Sequence, residues 1–294
     1  MNPATAREEL YRFMRTLEPP PGETAATFLS RYDGEFNDGG PLVPAQAGCD
    51  IGAADGWRLT ATVYRPDVCA PLPAVLYLHG GGWTMGTPRT HDRMARMLAA
   101  AGYVVASVDY PRAPKWAFPA AFDGCVRSLQ WLAESASSFG ADRRRLIVAG
   151  DSAGANLAAA VAAADTGIAL TAAALLYGIY DYHRALPVLA PIMGGTTAAE
   201  QVYVPAGQLA QLRGDPRLSP EHAASRLPPC WIGVGADDPL LAESVALSQT
   251  LTRLGRPHEL HVAPGSPHSF LQIPGDAGYA SGWRSLLAFL AAQP

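Results

Sequence analysis

The amino-acid sequence predicts an α/β protein built on a mostly parallel central sheet. Short apolar strands alternate with helices of about 10–15 residues over most of the chain, the pattern of βαβ units. Two of the strands run directly into glycine-rich turns, His79-Gly80-Gly81-Gly82 and Gly150-Asp151-Ser152-Ala153-Gly154. The alternation is continuous, so one large domain is favoured over two.

Taken in order, residues 5–17 and 24–32 read as two short helices separated by Glu18-Pro19-Pro20-Pro21-Gly22. Trp57–Tyr64 and Ala74–Leu78 read as strands, 89–101 as a helix and Tyr103–Val108 as a strand. Phe118–Glu134 has helical spacing, Leu146–Ala149 is an apolar strand, and Ala153–Ala164 is an alanine-rich helix. Strands at Ala172–Tyr177, Cys230–Val234 and His258–Val262 follow, with a helix at Glu243–Leu254 between the last two. Residues 181–213 interrupt the pattern with about thirty residues where a connection usually takes a few, which implies a lid or cap. Its helical stretch is expected near Val204–Leu212. The expected division is an N-terminal helical cap segment (1–45), a catalytic domain (46–180 and 214–294) and an inserted cap segment (181–213).

Composition narrows the function classes. The chain has 294 residues, 49% hydrophobic and 16% charged, with a formal net charge of −4. It is long enough to bury a sizeable core and too apolar to be disordered. A mildly acidic balance lacks the basic face that nucleic acid or an anionic membrane requires. Arg143-Arg144-Arg145 has no interleaved aromatics and reads as a solvated edge. No apolar run follows the charged N-terminus, and the longest, such as Leu157–Ala164, is far shorter than a membrane span. Cys49, Cys69, Cys125 and Cys230 form no Cys-x-x-Cys pair and are expected to be buried free thiols, so the expected location is cytoplasmic, with no metal.

The chemistry concentrates at two loops. Gly150–Gly154 is a Gly-x-Ser-x-Gly sequence between an apolar strand and a helix, the setting of a nucleophile elbow. A tight turn there projects the Ser152 hydroxyl above the sheet, near the positive end of the helix. The three glycines after His79 expose backbone N–H groups, as an oxyanion hole requires. His79 is expected to brace its loop, and Asp151 to point away from Ser152 and hold the turn. Asp238 and His268 each follow a strand and complete the chain order Ser, Asp, His. Asp237 is the competing acid, and His258 and His261 read as surface or structural. Trp83, beside the donor glycines, and Tyr180 and Tyr182, at the start of the insert, are candidate substrate-binding walls.

These residues resemble the hormone-sensitive-lipase-like esterases of the α/β-hydrolase superfamily. The resemblance rests on His79–Trp83 and Gly150–Asn156 and continues through Asp109-Tyr110, Ala113-Pro114 and Phe118–Ala121. It extends through Asp215-Pro216, Ser219-Pro220, Asp238-Pro239-Leu240 and Gly265 to His268-Ser269-Phe270. Pro228-Pro229-Cys230 leading to Asp238–Leu241 looks most like bacterial acetyl esterases. The sequence departs from the family pattern at Lys115, its only lysine, at Ala155, and at Leu241-Ala242, although Glu243 matches.

The resemblance implies an α/β-hydrolase fold with a helical cap. It makes Ser152 the nucleophile, Asp238 the acid and His268 the base, with the N–H groups of Gly81, Gly82 and Ala153 as oxyanion donors. The expected activity is hydrolysis of small, short-acyl carboxylic esters through a serine acyl-enzyme, with no cofactor. The expected partner is a small-molecule ester, and any assembly is a homodimer. Two alternatives stand beside it: an amidase, formamidase or peptidase with the same triad, and a non-catalytic receptor on this fold.

Overall fold

The computed structural model describes residues 3–54 and 56–294. Three helices come first, α1 (Pro3–Thr16), α2 (Ala25–Ser30) and α3 (Asp33–Asn37). Thr24 caps α2 by accepting a hydrogen bond from the Thr27 N–H. Strands β1 (Ala45–Ala54), β2 (Trp57–Tyr64) and β3 (Leu72–Leu78) follow, then α4 (Asp92–Ala100) and β4 (Val104–Asp109). The central units are α5 (Ala120–Ser135), β5 (Ala141–Asp151), α6 (Ala153–Ala163) and β6 (Ala172–Leu176). The insert carries α7 (Tyr182–Met193) and α8 (Thr196–Gln201), and β7 (Cys230–Gly235), α9 (Leu241–Arg253), β8 (His258–Ala263) and α10 (Tyr279–Ala291) complete the chain.

The eight strands form one sheet in the order β1-β2-β4-β3-β5-β6-β7-β8. The β1/β2 and β2/β4 pairs are antiparallel and the rest are parallel. Alternation along the central strands splits the core into two layers. Ala74, Leu76 and Leu78 face one apolar cluster with α5, α6 and α9, and Val75 and Tyr77 face another with α4 and α10. Both faces of the parallel strands are therefore covered, which is why they read as continuous apolar runs. The loops after β3, β5, β7 and β8 all open at one edge, the carboxyl end where α/β sheets bind ligands.

Three local features differ from the sequence reading. The insert's helices are α7 and α8, not Val204–Leu212, where only a 3-10 turn at Leu209–Leu212 forms. Pro187 and Pro191 lie inside α7 and mask it, because each removes a backbone donor. The strand β1 is masked by two register shifts and by its largely exposed face. All four cysteines are free, but Cys69 is exposed rather than buried.

The N-terminal segment has its own small core. Phe13 packs on Phe28 with ring centroids 4.8 Å apart, within a cluster that includes Leu10, Leu17, Tyr32, Phe36 and Ile273. The buried guanidinium of Arg93 fastens this segment down, donating to the carbonyls of Asp38 at 2.9 Å and Gln272 at 2.5 Å.

Candidate active site

The turn after β5 places Ser152 at φ +54° and ψ −119°, a strained region that costs about 1–3 kcal/mol. Its surroundings enforce that geometry. The Ser152 N–H bonds the Leu176 carbonyl on β6 at 2.8 Å. A Cβ at Gly150 would collide with the Gly154 carbonyl, and one at Gly154 with the Leu78 and His79 carbonyls. Both flanking positions of the elbow therefore admit only glycine, and the serine hydroxyl is pushed out above the sheet edge.

The other two predicted side chains meet it there. His268 Nε2 lies 3.0 Å from Ser152 Oγ, and His268 Nδ1 lies 2.9 Å from Asp238 Oδ2. With Nδ1–H donating to the carboxylate, Nε2 is left to accept the Ser152 proton. The second oxygen of Asp238 accepts the Leu240 N–H at 2.8 Å, which fixes the carboxylate plane. Asp237 points elsewhere. Its half-exposed carboxylate pairs with Arg15 at 3.2 Å, so Asp238 is the aspartate that reaches the histidine.

The glycine loop after β3 runs beside the serine. Gly81 has φ +119°, and a Cβ there would strike the Met85 backbone. Asp151, fully buried beside Ser152, holds this loop from below. Its Oδ1 accepts the Gly80 N–H at 2.9 Å and the Tyr77 hydroxyl at 2.7 Å. Its Oδ2 accepts Gln272 Nε2–H at 2.8 Å and lies 3.3 Å from His91 Nε2. Burial alone opposes ionisation of this carboxyl, but His91 and the hydrogen bonds of His91 and Tyr77 outweigh it and hold the pKa below the usual range. His79 stacks on Tyr110 at 4.2 Å and donates from Nδ1 to the Gly80 carbonyl at 2.9 Å. Burial, reinforced by His91, lowers its pKa to about 3, so it is neutral and serves the loop's shape.

A cavity of about 270 Å³ lies over these groups, with Ser152, His268, Gly81 and Gly82 in its floor. Its apolar wall comes from Phe13, Met14 and Leu17 of α1, with Leu29, Phe36 and Met85. Sequence reasoning missed this wall. The signal was present in Leu10, Phe13, Met14 and Leu17, whose spacing places them on one helical face. The three expected walls are elsewhere. Trp83, Tyr180 and Tyr182 are fully buried and do not line the cavity. Trp83 stacks on Tyr203 at 4.5 Å with Tyr182 alongside, and the Tyr180 N–H bonds Glu243. Large rings at the base of the insert gain more by packing its seam than by facing solvent.

Comparison with known proteins agrees with this architecture. A family model described as the α/β hydrolase fold matches residues 75–272. Among curated proteins, the ethyl acetate hydrolase of Pseudomonas putida is 34% identical over 238 residues, covering 74% of this chain and 73% of that protein. The carboxylesterase NlhH of Mycobacterium tuberculosis is 37% identical over 225 residues, covering 72% and 70%. Among solved structures, the hyperthermophilic esterase of the archaeon Pyrobaculum calidifontis superposes with a TM-score of 0.80 at 27% identity, covering 99% of this chain and 97% of that one. The match spans more than half of the sequence and contains both glycine-rich turns, and the chain belongs to the α/β hydrolase fold family, in its hormone-sensitive-lipase-like branch.

Proposed function

We propose that this protein is a serine carboxylesterase that cleaves small, short-acyl esters through an acyl-enzyme. The observation that carries the reading is the relay from Ser152 through His268 to Asp238, at 3.0 and 2.9 Å, in the floor of the cavity. His268 Nε2 takes the hydroxyl proton as Ser152 Oγ attacks the ester carbonyl. Asp238 keeps Nδ1 protonated and stabilises the imidazolium that forms. The N–H groups of Gly81, Gly82 and Ala153 receive the negative charge on the carbonyl oxygen, and losing one such donor typically costs about 10²–10³ in rate. His268 then returns the proton to the leaving alcohol, activates a water, and the acyl-enzyme is hydrolysed.

Residues 1–45 and 181–213 act in this reading as two parts of a lid. Side chains of α1 supply the cavity wall, and Ile192 of α7 reaches it from the other side. Glu243 anchors the insert, accepting the N–H groups of Tyr180 and Asp181 and pairing with Arg184. Four free thiols suit a reducing compartment, and the cytoplasm is the proposed location. Among the described residues no helix is long and apolar enough to cross a membrane.

A panel of p-nitrophenyl esters from acetyl to decanoyl, with matched amides and formamides, tests the proposal. Turnover is expected to be fastest on short esters and to vanish in Ser152→Ala. Faster release of amine than of alcohol would assign an amidase instead. Tight ligand binding without any Ser152-dependent turnover would assign a receptor.

A further inference from the structure

A second cavity of about 310 Å³ adjoins the glycine loop, with Gly82, Thr84 and Met85 in its lining. It shares Ala26, Gly82, Met85 and Ile192 with the cavity over Ser152, so these residues form a partition between the two. The second cavity contains neither Ser152 nor His268 in its lining, and none of its lining residues is ionisable. Its two hydroxyls face local backbone, Thr84 donating to the Gly81 carbonyl and Thr24 accepting the Thr27 N–H. What remains is the surface of Ile192, Met193, Val202, Pro114 and Met85, suited to hydrocarbon.

The reaction geometry assigns the two sides. His268 must protonate the departing oxygen, so the alcohol portion lies on the histidine's side, towards Met14, whose carbonyl accepts the His268 N–H. The acyl portion leaves the reacting carbon in the other direction, past Gly82 and towards the partition. We propose that Ile192, Met85 and Ala26 set the acyl-chain length, and that the cavity behind them is the extension a medium-chain acyl group would occupy. This rests on the ester-hydrolase reading and deepens it: the short-acyl preference comes from a wall of three side chains rather than from absence of space beyond.

The test measures kcat/KM of the full chain on p-nitrophenyl acetate, butanoate, hexanoate and octanoate. In Ile192→Ala the octanoate-to-acetate ratio is expected to rise by about tenfold or more, since a single methylene in an apolar pocket is worth roughly 10-fold or more in discrimination. In Ala26→Trp, at an exposed position of α2, the same ratio is expected to fall. If Ile192→Ala does not fold, Met85→Ala opens the same wall and carries the same expectation. A ratio that moves less than about twofold, or a uniform change across all four esters, overturns the partition. Loss of Ser152-dependent turnover on every ester in the wild-type chain is the separate failure of the underlying reading.

Discussion

The Met14 carbonyl, in the last turn of α1, accepts a hydrogen bond from the backbone N–H of His268 at 3.0 Å. One residue later Arg15 pairs with Asp237, the neighbour of Asp238. The end of α1 thus touches both loops that bring the acid and the base to Ser152. A helix that only roofed the cavity would affect substrate affinity, whereas one that steadies His268 also affects turnover. Deleting residues 1–17 is expected to lower kcat on p-nitrophenyl acetate by about tenfold or more, because small misplacements of reacting groups are costly. Circular dichroism checks that the truncated chain still folds. A raised KM with unchanged kcat would reduce α1 to a cover.

Adjacent aspartates in different environments give a sharp contrast. Asp238 is buried against His268, while Asp237 is half-exposed in a surface ion pair. Asp238→Asn is expected to lower kcat by about 10⁴, since the amide favours the wrong imidazole tautomer. Asp237→Asn removes only a pair worth about 1 kcal/mol or less, and its kcat is expected to stay within about threefold of wild type. Steady-state kinetics on a short ester separates the two, and equal losses would contradict the proposed acid.

The central strands and both glycine turns were legible in the sequence because their causes are local. Gly150 and Gly154 are required by carbonyls a few residues away or on the adjoining strand, and an apolar run followed by such a turn has few alternatives. The cavity wall was harder to read, since it depends on where α1 docks. The stripe Leu10, Phe13, Met14, Leu17 announces a buried face without saying what it covers. Trp83 and Tyr182 illustrate the opposite error: proximity in sequence to the donor glycines and the insert suggested a wall, and packing against Tyr203 took them out of reach. The helix α10 offered a weak signal because Gly282 interrupts it. That glycine lets the helix approach Phe270 and Leu271, where a Cβ would clash. His91 and Gln272 gave no local sign of their partnership with Asp151, which arises only when three distant segments converge.

That convergence makes Asp151 a stability determinant as well as a support for the loop. Asp151→Asn places an amide N–H₂ where the carboxylate accepts from Gln272 and faces His91, or else forfeits the bonds from Gly80 and Tyr77. The expected cost is about 2 kcal/mol or more of unfolding free energy, together with a lower kcat from the displaced donor loop. The native pKa lies below the ordinary aspartate value of 3.8, so the carboxylate's contribution is present above that value and is lost as pH falls through the lowered one. Urea unfolding of the two proteins should therefore differ most near neutrality and converge towards strong acid. A constant difference across that range would argue against the charged form as the stabilising one.

His79 predicts a pH dependence at milder acidity. Its ring is buried, which lowers its folded pKa to about 3 from the ordinary histidine value of 6.5. The unfolded chain therefore takes up a proton as pH drops below about 6.5, while the folded chain stays neutral there until much lower pH. Stability is fully retained above that point and declines as pH falls towards the folded pKa. Each pH unit inside this window is worth about 1.4 kcal/mol, so moving from pH 7 to pH 5 is expected to cost about 2 kcal/mol from this residue. His79→Asn keeps an N–H to offer the Gly80 carbonyl but cannot titrate. The variant is expected to be less stable at pH 7, through the lost stacking on Tyr110, and to lose about 2 kcal/mol less than wild type between pH 7 and pH 5. Equal losses in the two proteins over that interval would show that the acid sensitivity arises elsewhere, with His261, half-buried and also lowered by burial, the next residue to test.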